Sequence, residues 1–339
     1  MTLGEIFLFA FNAVMPIVLL ILLGYFLKRI KLFNDSFLSV ANKFVFNVSL
    51  PVLLFYNVYN IRDLGEIEWS TVVFAVIVIL LLFAAGLFYC VFFVKDCKQK
   101  GVVWQSFFRS NFAIIGLPLS ESLGGAQGIA TASILSAFSI PMFNALAVVS
   151  LSVFTGGKNK ISVKDILLKV IKNPLIRGVF AGFAVLIIRQ FIPRDTAGEL
   201  VFSVKNDIPF IYEFTDMLAG IASPLALVVL GGQFRFDAVK ALRKQIIPAA
   251  VARIVFAPLL GIGLAVILSE YTSYFNFTAA HYASFVALFG SPVAVSSAIM
   301  ANQMDNDGQL ANQILVWTSI FSVFTVFASV TVLKYAGII

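Results

Sequence analysis

Charge is scarce in this chain. Only 12% of its 339 residues are Asp, Glu, Lys or Arg, about half of the roughly 25% that a soluble domain carries. So few charges cannot cover a water-exposed surface of this size, and lipid is the expected solvent. Histidine occurs once (His281) and cysteine twice (Cys90 and Cys97). That argues against a zinc or iron–sulfur centre, whose ligands come from clusters of these residues, and the two cysteines, spaced across the end of an apolar run, read as unpaired. Carboxylates are nearly absent from the interior of the apolar runs. Glu5, Glu121, Asp216 and Glu270 all fall near run ends, so the sequence offers no dedicated proton or sodium relay. No convergent nucleophile or acid–base set is visible either. Neither an enzyme nor a cofactor is expected.

What is present is apolar. Hydrophobic residues make up 60% of the chain, with 36 Phe and a mean hydropathy of +0.98. A membrane-spanning helix needs about 20 apolar residues. Ten runs qualify: 6–27, 38–60, 70–94, 105–122, 129–154, 174–192, 210–232, 245–268, 280–302 and 309–335. The first has no basic residue before it and is too long for a signal-peptide core, so a retained span is expected. The second carries Asn42, Lys43, Asn47 and Ser49 ahead of Pro51, polar groups that should face protein or water.

The net charge of +7 lies in short clusters between the runs, a pattern of membrane topology and not of nucleic-acid binding. Lys28, Arg29 and Lys31 follow the first run. Lys95, Lys98, Lys100 and Arg109 follow the third. Lys158, Lys160, Lys164, Lys169, Lys172 and Arg177 follow the fifth, and Arg235, Lys240, Arg243 and Lys244 the seventh. These 17 face Arg62, Arg189, Arg194, Lys205 and Lys334, which are 5, on the other side; Lys43 and Arg253 lie within runs. The positive-inside rule puts the larger set in the cytoplasm and both termini outside the cell membrane. On this reading Arg109 is a topogenic residue at the cytoplasmic start of the fourth span, and His281 a surface residue at the outer end of the ninth.

The longest basic loop bisects the chain. Residues 1–154 hold spans one to five, 155–173 form a cytoplasmic linker, and 174–339 hold spans six to ten. Five is odd, so the halves must enter the membrane in opposite senses, which is an inverted repeat. Their helix breakers correspond. In the second span of each half, "NVSLPVLLF" with Pro51 matches "GIASPLALVVLGG" with Pro224. In the fourth, "IIGLPLS" with Gly116 and Pro118 matches "LFGSPVAVSS" with Ser291 and Pro292. The expected fold class is an all-α polytopic membrane protein of ten transmembrane helices in two inverted five-helix repeats, with helices four and nine broken at Pro118 and Pro292. Paired interruptions of this kind point to a transporter's binding site.

These stretches, together with "NKFVFNVSLPVLLF" (42–55), "FRSNFAIIGLPL" (108–119), "KNPLIRGVFAG" (172–182), "ARIVFAPLLG" (252–261) and "SPVAVSSAIMANQMDND" (291–307), resemble the auxin efflux carrier family. The chain is most similar to its bacterial members, which are related to malate and malonate permeases, and it lacks the long central hydrophilic loop of many plant members. The resemblance implies a scaffold bundle, a transport bundle, and unwound fourth and ninth helices crossing at their prolines beside the substrate.

Half-helix N-termini present free N–H groups that favour anions. The expected function is therefore a secondary carrier of small organic anions, such as carboxylates or auxin-like acids, with an anion channel or a non-transporting sensor as the alternatives. Candidate substrate contacts are Asn111, two helical turns before the first proline, Ser291, Ser296 and Ser297 around the second, Asn47 and Ser49 on the second span, and Asn144 on the fifth, with Gly116, Pro118 and Pro292 shaping the breaks. Pro51, Pro224 and Arg253 are assigned structural or gating roles, with anion attraction, snorkelling and pairing with helix carbonyls all open for Arg253. The expected partners are a small organic anion and the lipid bilayer, with a homodimer left open as the assembly.

Overall fold

The computed structural model describes residues 3–60, 68–155, 163–194 and 200–339. Arg62, Lys158, Lys160 and the first part of the basic linker lie outside the described residues. Each apolar run is helical, because a chain in hydrocarbon must pair its own backbone groups. In order, the helices are α1 (Leu3–Arg29), α2 (Asp35–Phe44), α3 (Leu50–Tyr59), α4 (Trp69–Phe93), α5 (Cys97–Phe108), α6 (Leu117–Val153), α7 (Val163–Lys172), α8 (Pro174–Arg189), α9 (Val204–Asp207), α10 (Pro209–Gln233), α11 (Phe236–Val251), α12 (Ala257–Tyr271), α13 (Ala279–Gly290), α14 (Val295–Gln303) and α15 (Gly308–Tyr335). Six helical segments among the described residues are long and apolar enough to cross a membrane: Asp35–Tyr59, Trp69–Phe93, Phe112–Val153, Pro209–Gln233, Phe236–Tyr271 and Gly308–Tyr335. The second part of the linker is helix α7 and not loop; five of its six apolar residues, 163, 166, 167, 170 and 171, recur at the spacing of one helical face.

Three π-turns explain how the chain keeps three of its prolines within continuous helix. Val45–Ser49 joins α2 to α3, Phe112–Gly116 precedes α6, and Ala252–Phe256 joins α11 to α12. Each is followed at the second residue by a proline: Pro51, Pro118 and Pro258. A proline ring clashes with the carbonyl four residues back and leaves it without an N–H. The wider π-turn carries that carbonyl away from the ring. For Pro258 the displaced carbonyl belongs to Ile254, and Thr325 Oγ1 donates to it at 2.8 Å.

The fourth and fifth runs fold as a hairpin. Gly125, at φ +61°, is the one non-helical residue within α6. Ser120 Oγ donates to the Gly128 carbonyl at 2.9 Å, although eight residues of straight helix would span about 12 Å. The second arm then runs back along α5, bringing Phe143 beside Phe108 and Phe154 beside Trp104.

Two groups of helices result. In the first, α1 packs on α10 and α3 packs on α8. Glycines set both contacts: a Cβ on Gly24 would lie 1.9 Å from the Val228 carbonyl, and one on Gly178 would lie 2.3 Å from that of Pro51. The second group holds α4, α5, α6 and α11 to α15. An aromatic cluster ties α13 to α4 there, with the Phe74 and Phe285 rings 4.8 Å apart.

Candidate functional site: the crossing of two interrupted helices

Two helices of the second group are interrupted, and the interruptions meet. α13 ends at Gly290: Ser291, for which the following proline disfavours the helical region, is extended at φ −66° and ψ 149°. The other break is at Arg109–Asn111, between α5 and the π-turn. This corrects the expected position. Pro118 stands exposed at the start of α6, where the π-turn accommodates it, and the chain leaves the helix seven to nine residues earlier. Ser110 and Val293 form an isolated antiparallel bridge. The Asn111 N–H donates to the Pro292 carbonyl at 2.8 Å, and the Ala294 N–H to the Arg109 carbonyl at 3.3 Å. The Val293 N–H is taken by Thr318 Oγ1 at 3.3 Å. Each broken segment thus satisfies the other, which is how irregular backbone survives away from water.

Arg109 lies at the centre. It was expected at the cytoplasmic surface, but its side chain is 1% exposed. Its Nη1 donates to Gln105 Oε1 at 3.0 Å, and its Nη2 donates to Asn144 Oδ1 at 2.7 Å and Ser296 Oγ at 2.8 Å. The two amides are held in the accepting orientation. Gln105 Nε2 is spent on the Ser297 carbonyl at 3.2 Å and Asn144 Nδ2 on that of Ile140 at 2.8 Å. All three partners are neutral. Ion pairs between described residues include Lys28–Asp35 and Arg235–Asp237, and no carboxylate pairs with Arg109 among the described residues. A guanidinium has five N–H donors; three are used here, and the crossing keeps a full positive charge.

A crevice with an empty volume of about 520 Å³ opens on this centre, lying between the two helix groups. Leu50, Leu53, Leu54 and Asn57 of α3, Leu175 of α8 and Ser223 of α10 wall one side. Arg109, Ser110, Asn111, Ile140, Phe143, Asn144 and residues 294–296 wall the other. The cavity within the crevice is about 50 Å³, room for a few waters at roughly 10–15 Å³ each, so an organic ligand requires the crevice to widen. Asn111 is buried, and its Nδ2 has no partner among the described residues. Val295 and Ser296 open α14, where helix N–H groups carry partial positive charge.

Of the sequence candidates, the structure brings Asn111, Asn144 and Ser296 together around Arg109, with Pro292 at the crossing. The others lie elsewhere. Asn47 is exposed and its amide donates to the Lys43 carbonyl at 2.9 Å. Ser49 and Ser297 are buried outside the crevice walls, with hydroxyls that have no partner among the described residues. Ser291 Oγ donates to the Ala287 carbonyl one turn back at 2.6 Å. Gly116 is a packing position, where a Cβ would lie 2.3 Å from the Phe112 ring. Pro51 supplies the carbonyl packed on Gly178, and Pro224 is exposed on α10.

Arg253, 0% exposed, lies outside the crevice. Its Nη2 donates to the carbonyls of Leu288 and Phe289. Of the three roles left open for it, the structure shows pairing with helix carbonyls, and a cation there suits the C-terminus of the interrupted α13. His281 is likewise not a surface residue. It is 5% exposed, accepts the Thr278 N–H at Nδ1 at 2.9 Å, and so carries its proton on Nε2, against Glu68. The thiols Cys90, buried, and Cys97, exposed, are free.

Comparison with known proteins points to membrane transport. A family described as "Membrane transport protein" matches residues 9–164 and 158–329. A protein of Methanothermobacter thermautotrophicus, described as an uncharacterized transporter, is 23% identical over 325 residues, covering 94% of this chain and 96% of the relative.

Proposed function

For a chain that belongs to the membrane transport protein family, we propose the role of a secondary carrier that moves small organic anions, carboxylates above all, by alternating access. The observation that carries this reading is Arg109, a buried cation with neutral partners at the crossing of two interrupted helices. A charge away from water is costly unless an opposite charge meets it. A carboxylate entering the crevice would supply that charge. It would also find the unpaired Asn111 Nδ2 and the N–H groups that open α14. The Leu and Ile side chains of the walls suit the carbon skeleton of an organic acid better than a fully hydrated inorganic ion.

The ten-span inverted layout, with both termini outside the cell membrane, belongs to the same proposal. Its support is the pairing of the first helix of each half with the second of the other, α1 with α10 and α8 with α3, through glycines in both cases. The group containing α1, α3, α8 and α10 would be the scaffold, and the group carrying the crossing would rock or slide against it. The interlocked crossing and the narrow crevice favour a carrier over an open channel.

The test is ligand-induced stabilisation of the purified protein, which rises with free ligand when binding is to the folded state. Benzoate, acetate and succinate are titrated as sodium salts against sodium chloride and choline chloride. At least one carboxylate is expected to raise the melting temperature and to show counterflow in proteoliposomes. Stabilisation by choline with none by any carboxylate would overturn the reading.

A further inference from the structure

We infer that this protein is an obligatory anion exchanger, in which a bound anion is released on one side only in return for another, because the empty site carries a net charge that the loaded site does not. The inference rests on the carboxylate reading above and concerns the return step of the same site.

Three features of the crevice lead to it. Arg109 is the single ionisable group among the crevice-lining residues; the rest are apolar side chains, serines and asparagines. A guanidinium keeps its proton, so the site cannot discharge itself by releasing one. The acceptors around Arg109 are two amides and one hydroxyl, which solvate the charge without cancelling it. The empty site therefore holds one positive charge, and a bound monocarboxylate brings the total to zero.

Alternating access requires the site to pass through a state closed to both sides, where water no longer screens it. The loaded site crosses that state as a neutral pair. The empty site must cross it as a bare cation, which low-dielectric surroundings oppose. The empty carrier therefore waits, open to one side, until another anion binds. A carboxylate of the protein swinging onto Arg109 during the return would remove this barrier. The acidic positions on the helices that wall the crevice are Glu121 on α6 and Glu213 and Asp216 on α10; all three are exposed, and none lines the crevice.

The experiment measures uptake of radiolabelled benzoate, and separately acetate, into proteoliposomes with the potential clamped at zero. Vesicles hold either no organic anion or the same unlabelled anion. Internal anion should accelerate uptake by about tenfold or more, the ratio that ~1.4 kcal/mol of extra barrier gives. Arg109→Gln, whose empty site is neutral, should bring that ratio below about twofold. Arg109→Lys, which keeps the charge, should preserve it. Equal uptake with and without internal anion in the unmodified protein would overturn the inference while leaving carboxylate transport standing. If Arg109→Gln does not fold, the unmodified protein and Arg109→Lys still decide the matter. If neither probe stabilises the protein nor enters the vesicles, the carboxylate reading fails and this inference falls with it.

Discussion

Arg109→Gln separates binding from folding. In the folded protein the guanidinium makes three side-chain hydrogen bonds, to Gln105, Asn144 and Ser296. Glutamine is shorter and has one NH2 group, so it cannot serve all three acceptors. The loss of these bonds is opposed by the removal of a buried charge whose desolvation costs several kcal/mol. The two effects have opposite signs, so the melting temperature of the ligand-free variant should move by only a few degrees. Binding has no such compensation. At 4 Å and an effective dielectric of 20, a carboxylate and a guanidinium attract by ~4 kcal/mol. Reorganisation of the neutral partners and residual water reduce this towards the ~1.5–3 kcal/mol of a charged hydrogen bond. The dissociation constant should therefore rise by about 10- to 150-fold. Arg109→Lys retains charge and loses the planar fork, and should fall between the two. The assay is the concentration dependence of thermal stabilisation, using whichever of benzoate, acetate or succinate stabilises the unmodified protein most. A dissociation constant unchanged within about twofold in Arg109→Gln, with the ligand-free melting temperature also unchanged, would refute the assignment of Arg109 to the site.

Thr325→Val removes the donor to the carbonyl that Pro258 displaces; an orphaned buried carbonyl costs about 1–3 kcal/mol, and thermal unfolding in detergent should show it with binding unchanged. Gly231→Val would place a Cβ 2.0 Å from the Ile21 carbonyl; separating α1 from α10 should abolish monodisperse protein in size-exclusion chromatography. His281→Ala takes away the acceptor of the Thr278 N–H and should lower stability by about 1 kcal/mol, as a lost helix cap does, while carboxylate affinity stays as it was. Cys97 is exposed at the start of α5 and Cys90 is buried; a membrane-impermeant maleimide should label Cys97 after lysis but not in intact cells, and labelling from outside would invert the proposed topology.

The sequence was most legible where lipid constrains it. Runs of apolar residues become helices because no other backbone arrangement is satisfied in hydrocarbon, and the run boundaries fall within a few residues of α1, α4, α10 and α15. Local chemistry was legible at Ser291–Pro292 as well, since proline disfavours the helical region for the residue before it and Ser291 is extended there, whereas Leu117 before Pro118 stays helical. It misled at Pro118. A proline can break a helix or be absorbed by a π-turn, and which occurs depends on whether neighbouring elements satisfy the displaced backbone. That is decided by packing between segments far apart in sequence, as the pairing of Thr325 with Ile254 illustrates.

The site was half legible for a related reason. Asn111, Asn144 and Ser296 stood out as polar residues in apolar runs, while Arg109 was read by its place at a run's end, where arginine commonly marks the cytoplasmic face. A signal was present: Arg109, Ser110 and Asn111 are three consecutive polar residues between Phe107–Phe108 and Phe112, and short polar side chains compete with the helix for backbone groups. Once that triplet is taken as the break, the meaning of the arginine changes. The helix before it, α5, brings its C-terminal, partially negative end to the crossing, with Arg109 as its cap. The hairpin at Gly125 returns α6 along α5, so that Asn144 reaches the guanidinium from 35 residues away. The other interruption delivers Ser296 from 187 residues away. Three chain segments thus enclose one cation with neutral groups. Each could be replaced by an aspartate or glutamate at the same place, and a fixed salt bridge would then be the more stable arrangement of an isolated fold. On the proposed reading, an anion carrier would leave that position to its cargo, since a permanent internal partner would compete for the one charge among the described crevice-lining residues.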